Sequence, residues 1–146
     1  MMEFREARQE DLAFVRSEPF EGAIKNYPFM YVPDSNTYTV IFESEIVAVG
    51  GLQVKWKGVG LLWLILTARC RKKGVFGFLA LDAIKLKMDE LIKDNNLWRA
   101  EANVRVDFPA AIKMIEWFGF EKEGTMKQYA PDRTDMILYS KILEPK

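Results

Sequence analysis

The segment RCRKKGVFG, residues 69–77, concentrates the chemistry-bearing side chains of this 146-residue chain. Arg69, Arg71, Lys72 and Lys73 crowd one short stretch, and Gly74 follows them where an apolar-periodic run begins. Cations, a glycine and the first turn of a helix together make an anion site. Unsatisfied backbone N–H groups and the positive end of the helix dipole face the ligand, and glycine lets the backbone approach it. The same charges also suit a solvated turn, since runs of like charge are most often simply exposed. Cys70 lies between Arg69 and Arg71, and neighbouring cations lower a thiol pKa, but no base partner for a nucleophilic thiol is evident. The chain holds no histidine, which excludes His-dependent triads and removes the commonest transition-metal ligand.

A buried strand and an amphipathic helix must hold this loop in place. GLLWLILT, residues 60–67, is apolar on both faces, as a central strand covered from both sides requires. From 74 to 94, Val75, Leu79, Ala83 and Leu86 form one row of a helix, with Phe76, Ala80, Ile84, Met88 and Leu91 beside it. Asn95 and Asn96 end that helix, and LWRAEANVRV, residues 97–106, alternates as a strand does. The three elements form a β-α-β unit with a parallel strand pair and a right-handed crossover.

The remaining elements frame that unit. EFRE near the start reads as a strand and QEDLAFVRS, residues 9–17, as a helix with an acidic front. Residues 18–36 read as a loop-rich segment with one short helix and the aromatics Phe20, Tyr27, Phe29 and Tyr31. TYTVIF (37–42) and IVAVGGLQVKW (46–56) are antiparallel strands, with Gly50-Gly51 marking a bulge or a close backbone approach. Lys57-Gly58 is a tight turn. DFPAAIKMIEWF (107–118) predicts a helix with Asp107 as N-cap, Pro109 in the first turn and Gly119 at the C′ position. FEKEGTMKQY and TDMILYSKIL complete the chain as paired strands. The expectation is one α/β (α+β) domain over residues 1–146, with a mixed sheet of roughly six or seven strands and about four helices.

Composition narrows the class. Hydrophobic residues make up 49% and aromatics 13%, which suits a packed core rather than disorder. Twenty-one basic residues balance 21 acidic ones, so charge gives no reason to expect nucleic acid or an anionic membrane as partner. One cysteine suits a reducing compartment. The charged N-terminus lacks a signal-peptide core, and the apolar run LLWLIL is too short to span a bilayer. A soluble, cytoplasmic protein is expected.

With these residues in this order, the chain resembles the GNAT superfamily of N-acetyltransferases over nearly its whole length. LWLILTARCRKKGVFG resembles the family's fourth strand and its acyl-CoA pyrophosphate loop, of the form Arg/Gln-x-x-Gly-x-Gly/Ala, with Arg71, Gly74 and Phe76 in the three named places. AAIKMIEWFGFEKEG resembles the last helix leading into Gly-Phe, with WFGFEKEG (117–124) the closest stretch, and FREARQEDL resembles a family start. The resemblance implies a GNAT-like fold with the β-α-β unit at the acyl-CoA site. It implies acetyl-CoA as co-substrate, held along Leu66, Thr67, Arg71, Lys72, Lys73, Gly74, Val75, Phe76 and Gly77, and no metal. The pantetheine arm would enter where strands 60–67 and 98–106 diverge. The acceptor would be a primary amine of a small molecule or protein, taking the acetyl group directly. It would be met near the aromatic segment Phe20 to Tyr31, with no nucleic acid or membrane involved and a homodimer left open.

The chain departs from the family pattern at three positions. Phe76 stands in place of a small residue, and its ring either blocks the diphosphate or turns into the core while Gly77 shifts the loop by one residue. Ile115 takes the place of a tyrosine that often protonates the leaving thiolate, and Phe108 the place of an asparagine that commonly begins the helix. No acidic residue lies on strand 60–67, so Glu101 is the first candidate base, with a pKa raised beside the slot. Its plainer reading is an exposed strand position. Tyr129 is the candidate acid, against the plainer reading of a packed aromatic with a solvent-facing hydroxyl. Trp56, Trp63, Trp98 and Trp117 read as core or interface anchors. Two other functions suit a degenerate loop. One is a non-catalytic, virion-associated assembly role, since the chain also resembles the GNAT-like internal virion proteins of short-tailed phages. The other is a regulatory module that binds acyl-CoA without turnover.

Overall fold

The computed structural model describes residues 2–19, 34, 36–69 and 78–144, with 78–80 described by backbone alone. Apolar alternation becomes seven strands: β1 (Met2–Glu6), β2 (Thr37–Phe42), β3 (Glu45–Trp56), β4 (Val59–Leu66), β5 (Arg99–Arg105), β6 (Glu121–Met126) and β7 (Met136–Ile142). The described residues form three helices: α1 (Gln9–Ser17), α2 (Phe78–Asp94) and α3 (Pro109–Trp117). The strands follow the order β1-β2-β3-β4-β5-β7-β6 in one mixed sheet. The short helix expected within 18–36 and the first turn of the helix expected from 74 fall largely outside the described residues. Contacts divide the chain into two compact units, Met1–Leu52 with Leu64–Leu91, and Gln53–Trp63 with Ile92–Lys146.

In the first unit β2 lies antiparallel to both β1 and β3. Val40, Val47, Ala48 and Leu66 form its core, with Met2, Phe4, Phe42 and Leu64 packed against them. The register shifts between Val40 and Ile41, whose partners Ala48 and Ile46 leave Val47 as the extra residue, so the irregularity lies at Val47 on β3 and not at Gly50-Gly51. Gly51 instead permits a close approach: a Cβ there would collide with the Asn36 carbonyl oxygen, and the next amide, Leu52 N, donates to that same oxygen at 3.0 Å. α1 buries Leu12 and Val15, and also Asp11. The Asp11 carboxylate accepts from Arg5 Nη1 (2.7 Å) and Nη2 (3.0 Å), from the Arg8 amide (2.8 Å) and from Thr39 Oγ1 (2.7 Å). Burial pushes its pKa up, but the bonds from Arg5, Arg8 and Thr39 outweigh burial and hold it below the usual carboxylate range.

In the second unit β5 runs parallel to β4 and antiparallel to β7, which also pairs with β6. Ala100, Ala102 and Val104 are buried on one face of β5, and Tyr139 and Ile137 stand opposite Ala102 and Val104 in the register. Ile115, Phe118 and Phe120 add to the buried set. Each large apolar side chain buried in this way contributes roughly 1.5–3 kcal/mol. α3 ends in a Schellman motif: Phe120 N donates to Ile115 O (3.2 Å), Gly119 N to Glu116 O (3.0 Å), and Gly119 takes φ +92°. The WFGF sequence anchor is therefore a helix stop, with Ile115 and Phe120, the residues joined by its outer backbone bond, both buried. The helix start differs from expectation. Phe108 is the N-cap, with no side-chain cap bond, and Asp107 turns to Arg105 instead. β5 begins at Arg99 rather than at 97, because the Trp98 and Arg99 amides both donate to Gly58 O, at 2.8 and 3.0 Å. The Trp98 ring covers Gly58, where φ is +86° and no Cβ would fit.

Candidate active site

The parallel β4–β5 ladder comprises Val59↔Arg99, Gly60↔Ala100 and Leu61↔Glu101, whereas β5 runs on to Arg105 along β7. Glu101 therefore stands at the last pair of the ladder. Its Oε1 accepts from Lys55 Nζ at 2.6 Å and its Oε2 from Arg99 Nε at 2.7 Å, with 12% of the side chain exposed. Arg99 turns its other two nitrogens to Glu123, at 2.6 and 3.0 Å, and the Ser140 hydroxyl donates to the same carboxylate. Two cations and two anions thus form a neutral row.

Burial pushes the Glu101 carboxyl up, but Lys55 and Arg99 outweigh it and hold the pKa below the usual range. The expected raised pKa is not found, because two cations stabilise the charged form. The expected exposed strand position is not found either. Glu123 is lowered to about 2 by Arg99 and then by Ser140. The Arg99 guanidinium is raised further by the same carboxylates.

At the carboxyl end of β5, Arg105 is 6% exposed. It forks onto Asp107 through Nε and Nη2 (both 3.0 Å) and onto Asp132 through Nη1 (3.1 Å) and Nη2 (3.0 Å). Nη2 also donates to Thr134 Oγ1 at 3.1 Å. Arg105 lowers Asp107, and it is the main cause that brings Asp132 to about 2. Tyr129 lies between β6 and β7 and is 57% exposed, so it is not the packed aromatic of the plainer reading. Tyr139, which the sequence did not single out, is 1% exposed and donates its hydroxyl to Glu116 Oε2 at 2.9 Å. Burial, and then the bond to Glu116, raise its pKa.

Of the basic loop, Arg71, Lys72, Lys73, Gly74, Val75, Phe76 and Gly77 lie outside the described residues, as do Cys70 and the aromatic segment Phe20 to Tyr31. Leu66 is buried at the end of β4. Thr67 is fully buried, its amide bonded to Val47 O (2.9 Å) and its hydroxyl to Ile46 O (3.1 Å) and Val47 O (3.3 Å). Arg69 is anchored in the fold. It pairs with Glu18 (3.0 Å) and Glu45 (3.1 Å) and lies over the Phe14 ring at 5.0 Å, while its buried Nε has no hydrogen-bond partner among the described residues. Among the described residues no cluster of His, Cys, Asp or Glu suits a metal, and no helix is long and apolar enough to cross a membrane.

No family model and no curated protein matches the sequence. Solved structures do match. Ard1 from Thermoplasma volcanium aligns with a TM-score of 0.73 at 16% identity, covering 98% of both chains. A ribosomal-protein-alanine N-acetyltransferase from Brucella melitensis aligns at 0.70 and 16%, covering 97% of this chain and 99% of the other. The fold is that of the GNAT N-acetyltransferases. A variant of the spermidine N-acetyltransferase SpeG from Vibrio cholerae aligns similarly, at 0.73 and 16%, over 97% and 93% of the two chains.

Within this GNAT fold, Ile115 is a core residue that closes the α3 stop, and Phe108 occupies the helix N-cap. None of the four tryptophans is fully buried: Trp63 is half-buried, and Trp56, Trp98 and Trp117 are exposed. Sequence reasoning missed Lys55, Arg99, Arg105, Glu123 and Asp132. One signal was present, because Arg99 and Glu101, two apart on a strand, share a face. Nothing local marks Lys55 or Asp132.

Proposed function

We propose that this chain is an acetyl-CoA-dependent N-acetyltransferase acting on a primary amine of a small molecule or protein, as a single cytoplasmic domain over residues 1–146. The alignment with a ribosomal-protein-alanine N-acetyltransferase from Brucella melitensis, over 97% of this chain and 99% of the other, is the observation that supports this reading most. Acetyl-CoA supplies the activated acetyl thioester. Residues 71–77 hold its diphosphate, and Leu66 and Thr67 supply a fixed start for that loop. The Thr67 fit is indirect, since its hydroxyl and amide are already committed to β3.

Glu101 acts as an anion that holds and orients the incoming ammonium, a task suited to a carboxylate kept ionised by Lys55 and Arg99. In this scheme the ammonium loses one proton to solvent to become the attacking amine; Tyr129 is the proposed donor to the departing thiolate and is restored by the second proton, released as the amide forms. A second reading, an acyl-CoA-binding module without turnover, draws support from Ile115 and from the low basicity of Glu101.

Melting the protein with and without acetyl-CoA tests both readings. At a hundredfold excess over Kd the ligand adds about 2.7 kcal/mol, a rise in Tm of roughly 5–10 °C for a chain of this size. No shift sinks both. A shift with thiol release on adding spermidine or an amino-terminal peptide favours the enzyme, and a shift without release favours the module.

A further inference from the structure

We infer that Arg105 is a positioning residue that fixes the segment 127–135, and Tyr129 with it, at the carboxyl end of β5. The role of Tyr129 as donor rests on the acetyltransfer reading; the placement of the segment does not.

The segment sets its own shape. Gln128 N donates to Asp135 Oδ1 (2.8 Å), Ala130 N to Thr134 O (3.1 Å), Arg133 N to Ala130 O (2.8 Å) and Thr134 N to Asp132 Oδ1 (3.2 Å). The Arg133 guanidinium closes the turn on Gln128 Oε1 at 2.8 Å. Gln128 and Arg133 hold positive φ, +54° and +68°, a backbone that a non-glycine residue keeps only when its surroundings impose it.

Shape is not place. The segment is tied to the end of β5 by the Val106 amide on Asp135 O (3.2 Å) and by the Arg105 forks onto Asp132 and Thr134. Arg105 spends its remaining donor geometry on Asp107, at the start of the turn into α3. One planar group therefore ties together the two connections that meet here, the turn from β5 into α3 and the β6–β7 segment. A lysine would keep the charge but not the two forks.

The location points to function. A nearly buried arginine is a poor source of stability compared with an apolar side chain, so its value lies in fixing geometry. The carboxyl ends of parallel strands are where open sheets place their ligand-binding loops. Two exposed hydrophobic residues, Val106 and Tyr129, flank this otherwise polar clamp.

Hydrogen exchange on the free full-length protein tests the placement. Arg105→Lys should speed exchange at Ala130, Arg133 and Thr134 by about tenfold or more, while β6–β7 ladder amides stay protected, as local opening requires. Asp132→Asn should do the same, and Asp107→Asn should leave the segment unchanged. In carbon-labelled tyrosine spectra, the resonance that Tyr129→Phe removes should move in Arg105→Lys. Unchanged segment exchange, or equal loss of ladder protection, overturns the inference.

Thiol release from acetyl-CoA with spermidine supplies the coupling. Tyr129→Phe and Arg105→Lys should each lower kcat, and the double variant should fall no further than the worse single. Fully multiplicative losses overturn the link to Tyr129. Absence of turnover and of an acetyl-CoA shift in the wild type sinks the acetyltransfer reading, while the exchange result still decides the placement.

Discussion

Asp11 in the first unit and Arg105 in the second are charge-reversed versions of one device. Asp11 is an anion 2% exposed that gathers donors from β1, the α1 start and β2. Arg105 is a cation 6% exposed that gathers acceptors from two turns. They differ in what surrounds the partners. The Asp11 partner Thr39 is fully buried, whereas the Asp107 and Asp132 side chains keep 53% and 47% of their surface. The first node is closed and holds a core together. The second is open on its far side and holds loops at a strand end, so losing it should cost less stability and more local order.

The largest effect should come from Asp11→Ala. It strands the buried Thr39 hydroxyl and the Arg8 amide, while Arg5, with its side chain 32% exposed, can hydrate, so the loss should be roughly 2–4 kcal/mol. Chemical denaturation should show a lower midpoint at an unchanged slope. Arg105→Met should cost only about 1–3 kcal/mol, because both released carboxylates can hydrate. Equal losses for the two variants would break the distinction between closed and open nodes.

Single hydroxyls sharpen the same contrast. Thr39→Val removes a donor from a fully buried site and should cost about 1–2 kcal/mol, whereas Thr134→Val should cost less than about 0.5 kcal/mol. Acid titration of stability should give the smallest signal. Asp11 and Asp132 both have folded pKa values below their unfolded ones. Their contribution is therefore fully present above about pH 4 and lost as pH falls through the folded values. For Asp132 that window runs down to about 2. Asp132→Asn should flatten the acid limb of a Tm–pH curve there; an unchanged limb would show that Arg105 does not hold Asp132 in solution.

The sequence carried the elements whose signals are local. Strand 60–67, the helix up to Asp94 and the strand after it were legible from apolar periodicity, and Gly119 marked a helix stop because Ile115, Gly119 and Phe120 act within one turn. Local rules misled where a distant partner competed. Asp107 fits an N-cap by type and position, yet Arg105 draws its carboxylate away, and Arg105 is held there by Asp132, 27 residues on. Glu101 was found as a candidate, but its protonation was misjudged because Lys55, 46 residues earlier, reaches it.

What the sequence alone determined is therefore the order of the described elements and the parallel unit. Each follows from backbone period, turn residues and sterics within a few positions. Tertiary structure alone decided the charge state of Glu101, the fixed place of segment 127–135 and the withdrawal of Arg69 onto Glu18 and Glu45. Electrostatic energies depend on separation and burial in space, and chain distance does not encode either.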